Sequence, residues 1–335
     1  MAKRLMSDAA DQVFKVLPRQ VDKTVAAALR DWLPGQSWSQ IQQLLKSRRV
    51  MLSGNLCMDA GRRLRLPDVV KLLAHPMAPP LKEDAIRIRY LDKDVVVVEK
   101  PAGMTTTRHA EERDWPARRR QLQPTLDELL PRVIARKEGR RKGLPPPVRA
   151  VHRLDRETSG LMVFARTVKA EQVLAQQFRQ HTTGRRYLAV AVGKVEAQTI
   201  ESRLVRDRGD KRRGSTKDAN ANVGKRAVTH VRPLERLGNY TLVECVLETG
   251  RTHQIRIHLA ENGHPLCGEK IYHQPLFGQP KPDLSGAPRV ALHAAELSFV
   301  HPLSGEQLKF EMPLPEDLRA FLNRLRRQSQ AKPQA

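Results

Sequence analysis

Four consecutive valines, Val95 to Val98, constrain the fold more than any other stretch of this sequence. A β-branched run is stiff in a helix and packs well on a pleated surface. It carries no polar residue to turn toward water, so it reads as a strand covered on both faces. Just upstream, Ile86, Ile88 and Tyr90 alternate with cations, and Asp92-Lys93 supplies a turn, which predicts a partner strand. Further strands are expected at "LMVFA", "RRYLAVAVG", "YTLVECVLETG", "RVALHAAELSFVHP" and "EQLKFEMPLP", with Tyr187, Ala189 and Ala191 on one face of the second. Helical patterns are fewer: "VKAEQVLAQQFRQHTTG" ending at Gly184, a patch at "TLDELLPRVIARK", and a short helix near the end. Many strands with few intervening helices favour an α+β fold over a doubly wound parallel one.

A smaller unit precedes this region. "DKTVAAALRDWLP" has apolar residues at helical spacing and is stopped by Pro34-Gly35. "SWSQIQQLLKSRR" starts at Ser37 or Ser39 as N-cap and carries Ile41, Leu44 and Leu45 on one face. "VMLSGNLCM" reads as strand, turn, strand around Ser53-Gly54-Asn55. The expected organisation is a tail at 1–15, this unit at 16–74, a proline-rich linker at 75–81, a large domain at 82–325 and a polar tail at 326–335. Basic segments at about 107–149 and 202–225 interrupt the large domain. They read as too polar for buried elements, and as either anion-gripping loops or solvated filler.

Charge narrows the partner. Lys and Arg number 60 against 36 Asp and Glu, a net +24 over 335 residues. Self-repulsion of that size opposes compaction, so its usual reason is a polyanion: nucleic acid or, less often, an anionic membrane. No apolar run approaches the roughly 20 residues that span a bilayer, and the first residues lack a signal-like apolar core. The chain is expected in the cytoplasm. Cys57, Cys245 and Cys267 form no CxxC pair, and His253, His258 and His264 match no HExxH spacing, so neither disulfide nor metal is expected.

The chemistry concentrates in "VHRLDRETSGLMVFART", where Asp155 stands between Arg153 and Arg156. This stretch resembles the signature of the RluA-type pseudouridine synthases. "VVVVEKPAGM", "RRYLAVAVG" and "LETGRTHQIRIHLAENGHPLCGEKIY" resemble three further family segments, in the family's order. The small unit resembles an S4 RNA-binding domain, and the resemblance spans about residues 16 to 325. It implies a catalytic domain on a mixed, largely antiparallel sheet with flanking helices and a central cleft. It implies isomerisation of uridine to pseudouridine in RNA, with no cofactor and no metal. The bond from C1′ to N1 breaks, the uracil turns, and C5 rejoins C1′.

By that resemblance Asp155 is the catalytic carboxylate, Arg256 its basic partner and Tyr187 the active-site tyrosine. A carboxylate can attack C1′ or take the 2′ proton, and the sequence leaves both open. Burying the carboxylate carries a desolvation cost that an adjacent cation offsets. Tyr187 offers an aromatic face to the displaced base and a phenol near C5. Arg153, on the same side as Asp155 in an extended segment, enters the stack to expel the base. Arg156 points the other way, as a solvated or phosphate-contacting cation. Arg251 and His253 complete the expected substrate contacts, and Thr158, Ser159 and Gly160 the turn that sets the loop. In the small unit Ser37, Gln40, Lys46, Arg48 and Arg49 are expected to grip RNA. The expected partner is large-subunit ribosomal RNA, with transfer RNA open, and the expected working form is a monomer. Two other classes fit parts of this pattern: a non-catalytic RNA-binding or assembly protein on the same scaffold, and a hydrolase of the same N-glycosidic bond.

Overall fold

A computed structural model describes residues 11–330, apart from 54, 67, 78, 109–111, 113, 117–119, 121, 141–142, 144–146, 210–211, 217–222, 274, 276–278 and 280–282. The chain divides into two compact units, residues 1–80 and 81–335. The first carries strands β1 (Gln12–Lys15), β2 (Val50–Leu52), β3 (Asn55–Leu56) and β4 (Val69–Leu72), with helices α1 (Val25–Trp32) and α2 (Trp38–Lys46). The strands pair antiparallel in the order β1-β4-β2-β3. Val25, Leu29, Ile41, Leu45, Val50 and Leu64 fill the core beneath them.

Both helices start where the sequence places a cap. Thr24 accepts the Ala27 N–H, and Ser37 accepts the Gln40 N–H at 3.2 Å while Gln40 Oε1 accepts the Ser37 N–H at 2.7 Å. That reciprocal box satisfies two donors at the helix end. It ties Ser37 and Gln40 to the helix start, and both residues stay exposed. Residues 12–15 are not tail either: Phe14 pairs with Val70 and stacks on Trp32 at 4.9 Å.

The second unit holds β5 (Arg87–Leu91), β6 (Val95–Lys100), β7 (Arg149–Ala150), β8 (Ser159–Ala165), β9 (Gly184–Val192), β10 (Gln198–Val205), β11 (Gly214–Ser215), β12 (Lys225–Leu237), β13 (Tyr240–Leu247), β14 (Leu292–Val300) and β15 (Gln307–Glu311). Its helices are α3 (Leu126–Lys137), α4 (Val168–Gln180), α5 (Gln254–Glu261) and α6 (Glu316–Gln330). The main path runs β11-β10-β12-β13-β9-β14-β8-β6-β5, with β15 on β14 and β7 on β8. Among the described strand pairs only β14 and β8 run parallel, so the sheet is mixed and largely antiparallel.

The valine run behaves as its composition demands. Val96 and Val98 pack with Leu126, Leu130 and Ile134 of α3 on one face. Val95 and Val97 pack with Ala170 and Leu174 of α4 on the other. Helix α3 lies inside the basic segment 107–149, whose middle is therefore core. Likewise β10 and β11 claim residues 202–205 and 214–215 of the second basic segment, and Leu204 packs against Ile257, Ala260 and Tyr272. Helix α6 runs through Gln330 because Leu318, Phe321, Leu322 and Leu325 make an apolar stripe, so the polar tail starts later than the composition suggests. Helix α4 stops at Gln180, short of Gly184, where His181 takes a left-handed conformation.

Ser159 and Gly160 open a strand instead of closing a turn. Gly160 has φ +126° and pairs with Ala294 across the parallel seam, where a Cβ would sit inside the Ala294 backbone. Gly160→Ala is expected to cost about 3 kcal/mol, from backbone strain and overpacking together. A chemical denaturation midpoint measures it, and an unchanged midpoint contradicts the close approach.

Candidate active site

Asp155 sits in the segment between β7 and β8, and three sides of that loop are tied down. Its carbonyl accepts the Thr158 N–H at 3.1 Å, closing a turn. Thr106 Oγ1 donates to the Leu154 carbonyl and accepts the Leu154 N–H. The Arg156 carbonyl accepts the Gly103 N–H at 2.7 Å and one proton of Lys100 Nζ at 3.2 Å. From the third side Arg289 donates to the Glu157 carbonyl and to Ser159 Oγ. Lys100 is fully buried, and Nζ also donates to the carbonyls of Pro101 and Met104. Burial pushes its ammonium down to about 7. The Lys-Pro-Ala-Gly turn thus helps hold the aspartate loop.

The cation facing Asp155 comes from α5. Arg256 Nη1 stands 3.4 Å from Asp155 Oδ2, and His253 Nε2 stands 3.6 Å from Oδ1. His253, at φ +61°, precedes the helix. Gln254 fixes this entry by accepting from Thr249 Oγ1 and the Arg251 N–H, and by donating to the Val228 carbonyl and Thr229 Oγ1.

Glu269 is the residue that sequence reasoning missed. Arg256 donates to it twice, Nε to Oε2 at 2.7 Å and Nη2 to Oε1 at 2.8 Å. Its carboxylate is 1% exposed and also accepts the N–H groups of Lys270, Ile271 and Tyr272. Burial alone would raise its carboxyl, but Arg256 and the backbone donors hold it below the usual carboxylate value. A fork–fork pair fixes the guanidinium plane as a lone cation could not. Tyr272 lies under Arg256 at 5.2 Å and meets His253 Nδ1 through its hydroxyl at 2.6 Å. The only signal in the sequence was a lone acid in "LCGEKIY".

Tyr187 is buried on β9, and burial raises its phenol. Asp155, Tyr187, Arg256, Arg153, Arg251 and His253 all line one cleft of about 900 Å³. Arg153 is exposed there, and no hydrogen bond among the described residues fixes its guanidinium. Arg156 does not line that cleft: its Nε donates to the Gly103 carbonyl at 3.1 Å, and its side chain stays half exposed. In the first unit Arg49 Nε donates to the Leu73 carbonyl, Arg48 takes φ +60°, and Lys46 is exposed. No helix among the described residues is long and apolar enough to cross a membrane.

One carboxylate held against an oriented arginine, beside a buried tyrosine in a cationic cleft, makes a site suited to nucleophilic or proton-transfer chemistry on an anionic substrate. The family described as RNA pseudouridylate synthase matches residues 94–261. The chain is 36% identical to the "Uncharacterized RNA pseudouridine synthase YlyB" of Bacillus subtilis, over 92% of this chain and 94% of that one. It is 34% identical to the "Ribosomal large subunit pseudouridine synthase D" of Xanthomonas campestris, over 90% and 89%. The solved structure of "Human RNA Pseudouridylate Synthase Domain Containing 4" shares the fold at 24% identity, with a TM-score of 0.56 over 71% of this chain and 92% of that one. The chain belongs to the RNA pseudouridylate synthase family and is an isomerase acting on RNA.

Proposed function

We propose that Asp155, Arg256 and Tyr187 carry the isomerisation, and that the substrate is a uridine of large-subunit ribosomal RNA. The observation that carries the site assignment is the Asp155–Arg256–Glu269 chain, which leads from a buried anion to a carboxylate at the cleft. Uracil leaves C1′ with difficulty, and a positioned carboxylate helps either by attack at C1′ or by taking the 2′ proton. C5 then bonds to C1′, C5 gives up its proton and N1 takes one up, so the mass of the RNA is unchanged. Tyr187 supplies a ring against the turned base, which replaces lost stacking worth about 1–3 kcal/mol, and a phenol for the C5 proton. Arg153, untethered at the mouth, fills the gap the base leaves. Arg251 and His253 contact the bound nucleotide. The ribosomal target rests on the names of the relatives, such as the enzyme of Xanthomonas campestris. Chemical pseudouridine mapping of total RNA, with and without this gene, tests it. Loss of a ribosomal site is expected, and loss confined to transfer RNA refutes the target.

The first unit acts as an S4-like RNA grip in this reading, with Lys46, Arg48 and Arg49 as its cations. Removing residues 1–80 is expected to flatten the salt dependence of RNA binding by roughly 0.7 to 0.9 log units per lost phosphate contact for each log unit of salt. Turnover on a short RNA at saturating concentration should change little. Salt titrations of both forms decide it, and an equal slope places the contacts in the larger unit.

A further inference from the structure

Two arginines among the described residues are buried, Arg256 and Arg185. Arg256 meets two carboxylates, Asp155 and Glu269. Arg185 meets none among the described residues. Its Nη2 donates to the Glu248 carbonyl at 3.1 Å, its guanidinium lies 5.7 Å from the Phe178 ring, and its Nε has no partner. A desolvated cation without a counter-ion is expensive, and buried charges are normally paired. The surroundings make the deficit worse: Arg251 and His181 lie close enough to act on its charge or feel it. The chain also keeps room for this group, since a Cβ on Gly250 would stand 2.5 Å from Arg185 Nη1.

Arg185 lines the same cleft as Tyr187. Both belong to the inward face of β9, where alternate residues are buried, two positions apart. Two residues of strand span roughly 6.6 Å, a separation that one nucleotide bridges. We propose that Arg185 is the receptor for a phosphodiester of the bound RNA, one linkage from the uridine that Tyr187 faces. A guanidinium fork matches two phosphate oxygens, and the phosphate supplies the counter-charge that the protein withholds. The assignment deepens the reading of Tyr187 as the base-facing residue and rests on it. It also gives the cleft a polarity along the strand, with phosphate at Arg185, base at Tyr187, and sugar toward Asp155.

The test uses the full chain and three probes: the trinucleotide UpUpU, the same trinucleotide with neutral methylphosphonate linkages, and inorganic phosphate. Wild type is expected to prefer UpUpU over the neutral analogue by about tenfold, the worth of one charge-assisted contact. Arg185→Gln should lose more than half of that preference on a logarithmic scale, and Arg185→Lys should keep more than half. Inorganic phosphate should compete with UpUpU on wild type and lose potency on Arg185→Gln. If Arg185 only packs the strand, Arg185→Gln lowers the unfolding midpoint and leaves the preference intact, which overturns the proposal. A wild type with no preference overturns it as well. Single-turnover assays of Tyr187→Phe and Tyr187→Ala report separately on the base-facing reading, which expects Phe to keep substrate binding and Ala to weaken it, so failure of one is distinguishable from failure of the other.

Discussion

Asp155→Asn is expected to abolish pseudouridine formation, a loss of about a thousandfold or more, the scale seen when a group that acts on reacting atoms is removed. The amide fills the same space but can neither attack C1′ nor take a proton from C2′. RNA binding should hold within about twofold, because phosphate contacts set affinity and this carboxylate makes none. The fold should hold too. Asp155 is held in place by its backbone, through the Thr158 N–H on its carbonyl and Thr106 on its neighbour Leu154. The change also removes a counter-charge from Arg256, yet Glu269 keeps that guanidinium paired at 2.7 and 2.8 Å. A single-turnover assay on RNA from cells lacking the gene checks it. Turnover above a few per cent of wild type by the Asn form would falsify the assignment.

The cleft was legible in the sequence where its residues are consecutive. Asp155 stands in an unbroken motif between two arginines, so its place could be read without knowing what lies across from it. The same holds for the valine strand, whose burial on two faces follows from four residues with nowhere polar to turn. What was not legible depends on distant partners. Glu269 matters because Arg256, thirteen residues earlier, donates to it twice, and because Lys270, Ile271 and Tyr272 aim their N–H groups at it. Arg185 matters because no carboxylate among the described residues reaches it, a fact about three dimensions. Phe14 was taken for tail because its partners Val70 and Trp32 lie far along the chain. Arg156 shares the motif but lies outside the cleft, with its Nε on the carbonyl of the distant Gly103. Ser37 was legible as a helix start, and the capping box it closes with Gln40 bears that out.

Arg256→Ala carries the second large effect, and it separates chemistry from stability. Removing the guanidinium leaves Asp155 without its fixed cation, and turnover is expected to fall by about a hundredfold to a thousandfold. It also strands Glu269, 1% exposed, as an unpaired buried anion. Breaking a buried pair in this way costs about 3–5 kcal/mol. The pH dependence has a definite sign. In wild type the Glu269 carboxyl is held below its unfolded value of 4.5, so its contribution is present above that value and fades as pH falls through the folded one. In Arg256→Ala, burial acts on Glu269 with less opposition, its carboxyl rises, and stability is lost as pH rises through that higher value. The gap between the two proteins should therefore be widest near neutrality and narrow toward pH 4. Adding Glu269→Gln to Arg256→Ala should recover much of the lost stability, because no charge is left buried, and should recover none of the turnover, because Asp155 still lacks its partner. Denaturant melts at pH 4 and 7, with turnover measured on the same preparations, separate the two. Recovery of turnover in the double variant would mean that Arg256 serves only to neutralise Glu269, and that Asp155 acts without it.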